Sequence, residues 1–380
     1  MYPARNTREI LERLEAWGRS RQWVGADPYE GLNTPLARVA PGRRGRQAVT
    51  QAYKRLPFAP PWPLRSAPRR NAKALALALG GYATPAGRKL PGAERYLREL
   101  PQQLGALNLL ADGAAWGYPF DVQTRGVGYG ATTPNAIATC FVVDALCDAE
   151  EAGVAGAGEL ALQARAFLLS LFQPDASAPY FSYVAAGAPL IHNANLLVCG
   201  ALARLHGLEA QSGVEQPVAQ AVQTTLAKTG PDGIWPYGET ASYGWADNFH
   251  TAYTLEGLLR VGRAWGLGGK ELQRGLAAWK STFIDPDGWA RYYPQSRYPL
   301  ETHCAASAID LLCLAGGAPE DRALAEAIAR CAVAELWLEE EGCFAFRRAS
   351  RGLNRRRFMR WTNAPMFRAL ARLCSRGVED

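Results

Sequence analysis

DGIWPYGE at residues 232–239, followed by DNFHTAYTLEGLLR at 247–260, sets a pattern that recurs through the whole chain. A glycine turn leads into an aromatic cluster, and a helix then starts on small, amide or imidazole residues. The other copies read WGYPF after Asp112-Gly113, PYFSY at 179–183, WARYY after Asp287-Gly288 and CFAF after Glu341-Gly342. Their leading aromatics, Trp116, Tyr180, Trp235, Trp289 and Phe344, are spaced by 64, 55, 54 and 55 residues. A fixed period of this size marks a repeat architecture, in which no unit can bury its apolar face alone.

The helix starts are TPNAIATCFVVDAL (133–146), IHNANLLVCGALARL (191–205), DNFHTAYTLEGLLR, ETHCAASAIDLLCL (301–314) and TNAPMFRALARL (362–373). Each is apolar nearly all round, which predicts helices buried on several sides. The first four are followed by segments with a polar face: GELALQARAFLLSLF (158–172), VAQAVQTTLAKT (218–229), KELQRGLAAWKSTFI (270–284) and DRALAEAIARCAVAELWL (321–338). RNAKALALALGGY (70–82) adds a sixth inner helix, and the segment from ERYLREL (94–100) to Leu110 adds an outer one. The amphipathic helix at about 7–19 is then the natural partner of the inner helix at 363–374 and closes the ring. The expected fold is all-α, an (α/α)6 toroid of six helical hairpins forming a single domain over 1–380. Strand content should be low: YFSYV and ARYYP suit short β-ribbons at the mouth but are too short for a sheet of their own.

Composition is that of a globular protein, 48% apolar and 20% charged. The longest apolar runs fall far short of the roughly 18–20 residues that cross a bilayer, and the N-terminus lacks the uninterrupted apolar stretch of a signal peptide. Cytoplasmic residence follows as the expectation, with a peripheral place at the inner membrane left open. Eight cysteines without a C-x-x-C pair read as buried free thiols. The +7 net charge is concentrated at Arg43, Arg44 and Arg46, at Arg65, Arg69 and Arg70, and in seven arginines between Arg347 and Arg360. Those segments suit an anionic polymer or membrane headgroups, and equally a solvated basic surface. No nucleic-acid partner is expected, because no zinc-finger or RNP-type signature accompanies the charge.

Chemistry should sit at the inner-helix starts, which all open on one face of the toroid. Three of the four histidines, His192, His250 and His303, fall there, while His206 lies at an inner-helix end and reads as structural. Adjacent helix axes stand roughly 8–10 Å apart, so ligands from successive repeats would not easily share one ion. No metal and no cofactor is expected. Polar density peaks at Trp235, Tyr237, Glu239, Tyr243, Trp245, Asp247, Asn248, His250 and Thr251. Similar groups form at Trp116, Tyr118, Asp121, Gln123, Arg125 and Asn135, at Asn193 and Asn195, at Arg291, Tyr292, Tyr293 and Glu301, and at Arg360, Trp361 and Asn363. Asp247 has a second reading as a helix N-cap, and the aromatics have one as filling of the mouth. Aromatic platforms mixed with carboxylates, amides and arginines suit sugar-like ligands, whose flat faces stack and whose hydroxyls need paired donors and acceptors.

Several stretches resemble bacterial six-hairpin proteins of capsule and exopolysaccharide biosynthesis, of the VpsJ-like type: GADPYEGLNTPL (25–36), WGYPFDVQTR (116–125), TTPNAIATCFVVDAL (132–146), HNANLL (192–197), DGIWPYGE, WADNFHTAYTLEGLL (245–259) and RYPLETHCAASAIDLL (297–312). More loosely the architecture is similar to uronyl epimerases, heparinase-type lyases and the squalene and hopene cyclases. Asp232, Gly233 and Trp235 match the cyclases' D-G-x-W element, but Thr229 stands where their glutamine should be and their D-x-D-D motif is absent. The resemblance implies a role in cell-surface polysaccharide synthesis, and with the sugar-like ligands above the leading expectation is an enzyme acting on a neutral or anionic glycan by uronate epimerase, lyase or hydrolase chemistry. In proton abstraction His250 or Tyr237 is the base, Arg125 or Asn248 the sugar-carboxylate ligand, and His192 or His303 the second acid. In hydrolysis Asp247 or Asp121 pairs with Glu239 or Glu301. An isoprenoid cyclase or transferase, and a catalytically silent glycan-binding assembly subunit, are the rival readings.

Overall fold

The computed structural model describes residues 6–40, 42–58, 60–61, 65–124, 127–316 and 318–375. Its helices are α1 (Thr7–Ser20), α2 (Gly42–Arg55), α3 (Ala72–Ala83), α4 (Ala93–Ala106), α5 (Ala136–Glu151), α6 (Ala157–Leu162), α7 (Arg165–Ser170), α8 (His192–Leu208), α9 (Glu215–Leu226), α10 (Asn248–Trp265), α11 (Gly269–Phe283), α12 (Thr302–Ala315), α13 (Pro319–Leu336) and α14 (Ala364–Ser375). Among the described residues α3, α5, α8, α10, α12 and α14 form an inner ring, each packed on the next, with α14 returning to α3. Their partners α4, α6, α9, α11, α13 and α1 lie outside. This is the (α/α)6 toroid. None of the described helices is long and apolar enough to cross a membrane.

Inner helices are buried on all sides because they face the axis, two neighbours and an outer helix at once. The α8–α10 contact shows how closely they pass: a Cβ on Gly257 would stand 2.1 Å from the Leu196 carbonyl oxygen. Four of the inner-helix starts also bond forward to the next aromatic loop. Ala136 N–H donates to the Tyr183 carbonyl (2.9 Å), His192 N–H to Tyr237 (3.1 Å), Thr302 N–H to Phe346 (3.2 Å), and the Asn248 side-chain amide to Arg291 (2.9 Å). The last turn closes the circle, since Met359 N–H donates to the Ala26 carbonyl (3.1 Å) near the chain's beginning.

Three features depart from the sequence-based expectation. The outer segment at 158–172 is two short helices, because the Gln163 carbonyl between them accepts Ala114 N–H at 2.9 Å from the loop it supports. The outer helix after Arg95 ends at Ala106, where Asn108 folds the chain by bonding Leu110, Gly113 and Ala115. The strands are β1 (Val122–Gln123), β2 (Gly128–Tyr129), β3 (Phe172–Gln173), β4 (Tyr180–Phe181), β5 (Arg291–Tyr293), β6 (Ser296–Glu301), β7 (Trp337–Leu338), β8 (Cys343–Phe344), β9 (Arg347–Ala349) and β10 (Gly352–Asn354). Most pair as isolated two-stranded ribbons, but β10-β9-β6-β5 make one four-stranded antiparallel sheet. It forms because Leu300 and Glu301 pair with Arg348 and Arg347 of the next repeat, so two hairpins share an edge.

Deeper along the axis the inner helices carry charge. Asp144 accepts from Arg204 (3.1 Å), Arg260 (2.6 Å) and Arg368 (3.2 Å), Asp148 from Arg204 (3.0 Å) and Arg372 (2.9 Å), and Asp310 from Arg372 (3.0 Å) and Arg368. Burial alone would raise the Asp144 pKa, but Arg260, Arg204, Arg372 and Arg368 outweigh it and hold the carboxyl well below the ordinary range.

Two measurements of folding follow. Gly257→Ala forces α8 and α10 apart and should cost about 1–3 kcal/mol in a denaturant titration, while Gly207→Ala, where the added methyl meets nothing within 4 Å, should gain about 0.5–1 kcal/mol. Asp144→Asn leaves four arginines short of a counter-charge and should cost about 3–5 kcal/mol at neutral pH. Because the folded pKa of Asp144 is lowered, its contribution is complete above the unfolded value of about 3.9 and fades as pH falls below it. The variant should therefore lose part of the wild-type decline in stability below roughly pH 4.

Candidate functional site

The inner-helix starts and their loops surround a cavity of about 500 Å³ at the mouth. Its wall is mostly aromatic: Tyr118, Phe120, Tyr129, Tyr183, Tyr237, Tyr243, Trp245, Phe249, Tyr292, Tyr293 and Trp361, with Tyr29 from the N-terminal segment. Tyr237 lies parallel on Trp245 with centroids 4.5 Å apart, and Tyr118 on Phe120 at 5.3 Å. Polar groups break this surface at Gln47, Gln51, Lys54, Arg55, Gln123, Thr124, His250 and Arg360.

His250 is held by Asp247 in a way that serves both readings of that aspartate. Asp247 Oδ1 accepts the His250 backbone N–H at 2.9 Å and so caps α10, while Oδ2 accepts Nδ1–H of the same residue at 2.8 Å. Asp247 is buried, His250 is 22% exposed, and Phe249 (4.0 Å) and Tyr237 (4.6 Å) flank the ring. With Nδ1–H given to the carboxylate, the imidazole lone pair stands on Nε2. Burial pushes the phenols of Tyr237 and Tyr292 above the ordinary tyrosine range, which makes them hydrogen-bond donors to a bound ligand rather than bases.

Of the residues singled out from sequence, Tyr118, Gln123, Tyr237, Tyr243, Trp245, His250, Tyr292, Tyr293, Arg360 and Trp361 share this cavity. Arg125 lies outside the described residues. The others do not line it, for identifiable reasons. Trp116 and Trp235 are fully buried staples whose indole N–H groups donate to Leu104 (2.8 Å) and Thr225 (3.0 Å), carbonyls of the preceding outer helices. Asn135 caps α5 through Ala138 N–H (3.0 Å). Asn195 accepts Phe181 N–H (2.8 Å), and Asn363 accepts Phe344 N–H (2.8 Å), so both clamp the loop of their own repeat. Asn248 is spent on Trp279 (3.0 Å) and Arg291 (2.9 Å). Asn193 is buried behind His250 in a narrow void beside Asp247.

The expected second acids are also committed elsewhere. His192 bonds Thr225 Oγ1 (3.1 Å) and Glu239 Oε1 (2.9 Å), and burial lowers its pKa. His303 donates Nδ1–H to the Trp361 carbonyl (2.9 Å) and accepts the Tyr253 hydroxyl at Nε2 (2.9 Å); burial keeps it neutral. Glu239 is held by His192 and Lys228 (3.2 Å), and Asp121 by Arg46 (2.7 Å). Glu301 accepts the Trp361 indole N–H (2.6 Å) from behind the wall, and burial raises its pKa. No Asp or Glu stands among the described residues lining the cavity.

Sequence reasoning missed the N-terminal contribution. Tyr29 and the α2 face carrying Gln47, Gln51 and Lys54 complete the wall, but residues 42–55 read only as basic charge. Their i, i+4, i+7 spacing was the available signal. The Arg-rich 347–360 segment divides: Arg356 and Arg360 are buried, the latter paired with Asp27, whereas Arg351, Arg355 and Arg357 are exposed, with Arg355 paired to Glu341 (3.1 Å), and the half-buried Arg348 pairs with Glu335 (2.5 Å).

No protein-family model matches the sequence, and no curated protein shows significant similarity to it. Solved structures match the fold at low identity. A cellobiose 2-epimerase from Bacillus thermoamylovorans is 15% identical over 81% of this chain and 88% of its own, with a TM-score of 0.59. A GH76 α-mannanase from Bacteroides thetaiotaomicron is 12% identical over 83% and 89%, with a TM-score of 0.60. A polysaccharide lyase is 11% identical over 98% of each chain, with a TM-score of 0.59. At these identities the similarity is one of fold, the (α/α)6 toroid.

Proposed function

We propose that the chain is a carbohydrate-acting enzyme that moves a proton at a sugar ring bound in the mouth cavity, as an epimerase, isomerase or lyase. The observation that carries this reading is the Asp247–His250 pair set in an aromatic cavity without a described carboxylate in its lining. Asp247 fixes the tautomer and stabilises the imidazolium that forms, and Nε2 takes the proton. Tyr237 and Tyr292 donate hydrogen bonds to the ring oxygens, and the parallel Tyr237–Trp245 pair forms a flat platform for a sugar face.

Hydrolysis by paired acids is less well supported, because it needs two carboxyl groups flanking one bond, and Asp121, Asp247, Glu239 and Glu301 are each engaged outside the lining. An isoprenoid cyclase needs an acidic proton donor in its cavity, and the same lining argues against it. The fold neighbours include an epimerase and a lyase of carbohydrates, which agrees with the proposal. We place the activity in cell-surface polysaccharide synthesis on the resemblance of the 116–146, 192–197 and 245–259 stretches to the VpsJ-like type. In this reading the chain works as one domain in the cytoplasm.

The test is proton exchange: incubate a panel of aldoses, uronic acids and oligosaccharides with enzyme in D2O and follow deuterium incorporation and new products by NMR. His250→Ala should lower the rate roughly 100- to 10,000-fold, and unchanged turnover in that variant removes the proposed base. Asp247→Asn keeps the helix cap but offers an N–H to Nδ1, and should lower the rate by up to about 100-fold with the fold intact. Glu239→Gln and Glu301→Gln should retain most activity; loss of turnover in both with His250→Ala active would restore the two-carboxylate mechanism.

A further inference from the structure

The described residues 24–40 and 42–56 run across one side of the mouth and are pinned to the repeats on both sides. On one side the Asn33 amide donates to the Pro119 carbonyl (3.3 Å) and Arg46 pairs with Asp121 (2.7 Å). On the other, Asn354 donates to the Leu56 carbonyl (2.9 Å) and Arg356 to that of Tyr53. Between these anchors α2 presents Gln47, Gln51 and Lys54 to the cavity. Its amphipathic face is thus part of the binding wall.

Lys54 has unusual surroundings for a surface-helix lysine. It is only 8% exposed, its Nζ donates to the Tyr29 hydroxyl at 3.1 Å, and the ammonium lies 5.0 Å from the Tyr29 ring centre and 4.8 Å from that of Trp361. No described carboxylate forms an ion pair with it, whereas Arg360, the other buried cation of the wall, is taken up by Asp27. An ammonium has three donors and Tyr29 uses one. Burial opposes its charge, yet its pKa is pushed up through Tyr29 and Glu301, so it stays protonated. Lys54 is linked to the proposed base by a chain of rings: Trp361 meets Phe249 at 5.5 Å and Phe249 meets His250 at 4.0 Å.

We propose that Lys54 is the receptor for the carboxylate of an acidic sugar, which makes a uronate unit the substrate class of this cavity. The inference rests on the glycan reading above and narrows it. A desolvated ammonium between two aromatic faces gains most from a ligand that brings both an apolar ring face and one negative charge. A uronic acid does so, and a neutral hexose leaves the donors without a charged acceptor. Anchoring the carboxylate at Lys54 would hold the ring on the wall that carries His250.

The experiment compares matched ligands by tryptophan fluorescence titration: glucuronate against glucose, galacturonate against galactose, and glucose 6-phosphate as the phosphate counterpart. Wild-type protein should bind a uronate about tenfold or more tightly than its neutral partner. Lys54→Met should abolish that preference by weakening uronate binding at least tenfold more than neutral-sugar binding, Lys54→Arg should recover part of it, and a thermal melt checks that both variants fold. Equal affinity for uronate and neutral sugar, or a preference that survives in Lys54→Met, overturns the Lys54 assignment and leaves the glycan reading standing. Tighter binding of the sugar phosphate than of either uronate replaces the carboxylate with a phosphate and likewise overturns it. If no sugar of any kind binds, the inference and the glycan reading fall together.

Discussion

A buried ion pair between residues 333 positions apart, Asp27 and Arg360, governs how the mouth is built. The guanidinium bonds both carboxylate oxygens and lies against the rings of Tyr29, Tyr118, Phe120 and Trp361. Glu30, next to it, is pushed up to about 8 by burial and by Asp27. Taking two charges out of water is expensive, and a pair of this kind is better understood as fixing a unique arrangement than as adding stability. Here the arrangement is the closure of a ring: the turn before the last inner helix meets the first loop of the chain. That contact sets Tyr29 and α2 over the mouth, and with them Lys54.

Below the cavity the toroid is layered along its axis. Phe249 and Trp361 of the wall touch His303, which bonds Tyr253; Tyr253 and Phe141 face the buried Lys73, and Phe141 faces Arg368 of the axial ion pairs. Polar residues on one inner helix therefore have different fates by depth. At the start they can reach the cavity, as His250 does. One turn lower they lock the packing, and two or three turns lower they neutralise one another, as Asp144 and Arg260 do. A wall backed by such a scaffold keeps its aromatic faces in place before a ligand arrives.

The inner and outer helices were legible from local pattern because burial on all sides and burial on one side leave different periodicities. The aromatic loops were legible as repeats, but their roles were not. Trp116 and Trp235 read like Tyr118 and Tyr237, only two positions away, yet the first two point back to the outer helix and the second two forward to the cavity. The amides behave similarly: Asn135, Asn195, Asn248 and Asn363 satisfy buried backbone or indole groups, whose need for partners no single repeat reveals. Three histidines at equivalent starts suggested one site, but only His250 lines the cavity, since His192 turns to Thr225 and Glu239 and His303 to Tyr253 and the Trp361 carbonyl.

The sequence by itself determined the repeat, the alternation of inner and outer helices and the toroid, because these follow from short-range periodicity and turn residues. The tertiary structure decided which side chains meet. The direction of a side chain at a helix start depends on the loop of the next repeat, and the completion of the wall by Tyr29 and Lys54 depends on contacts between residues hundreds of positions apart. Such contacts leave no trace in local spacing.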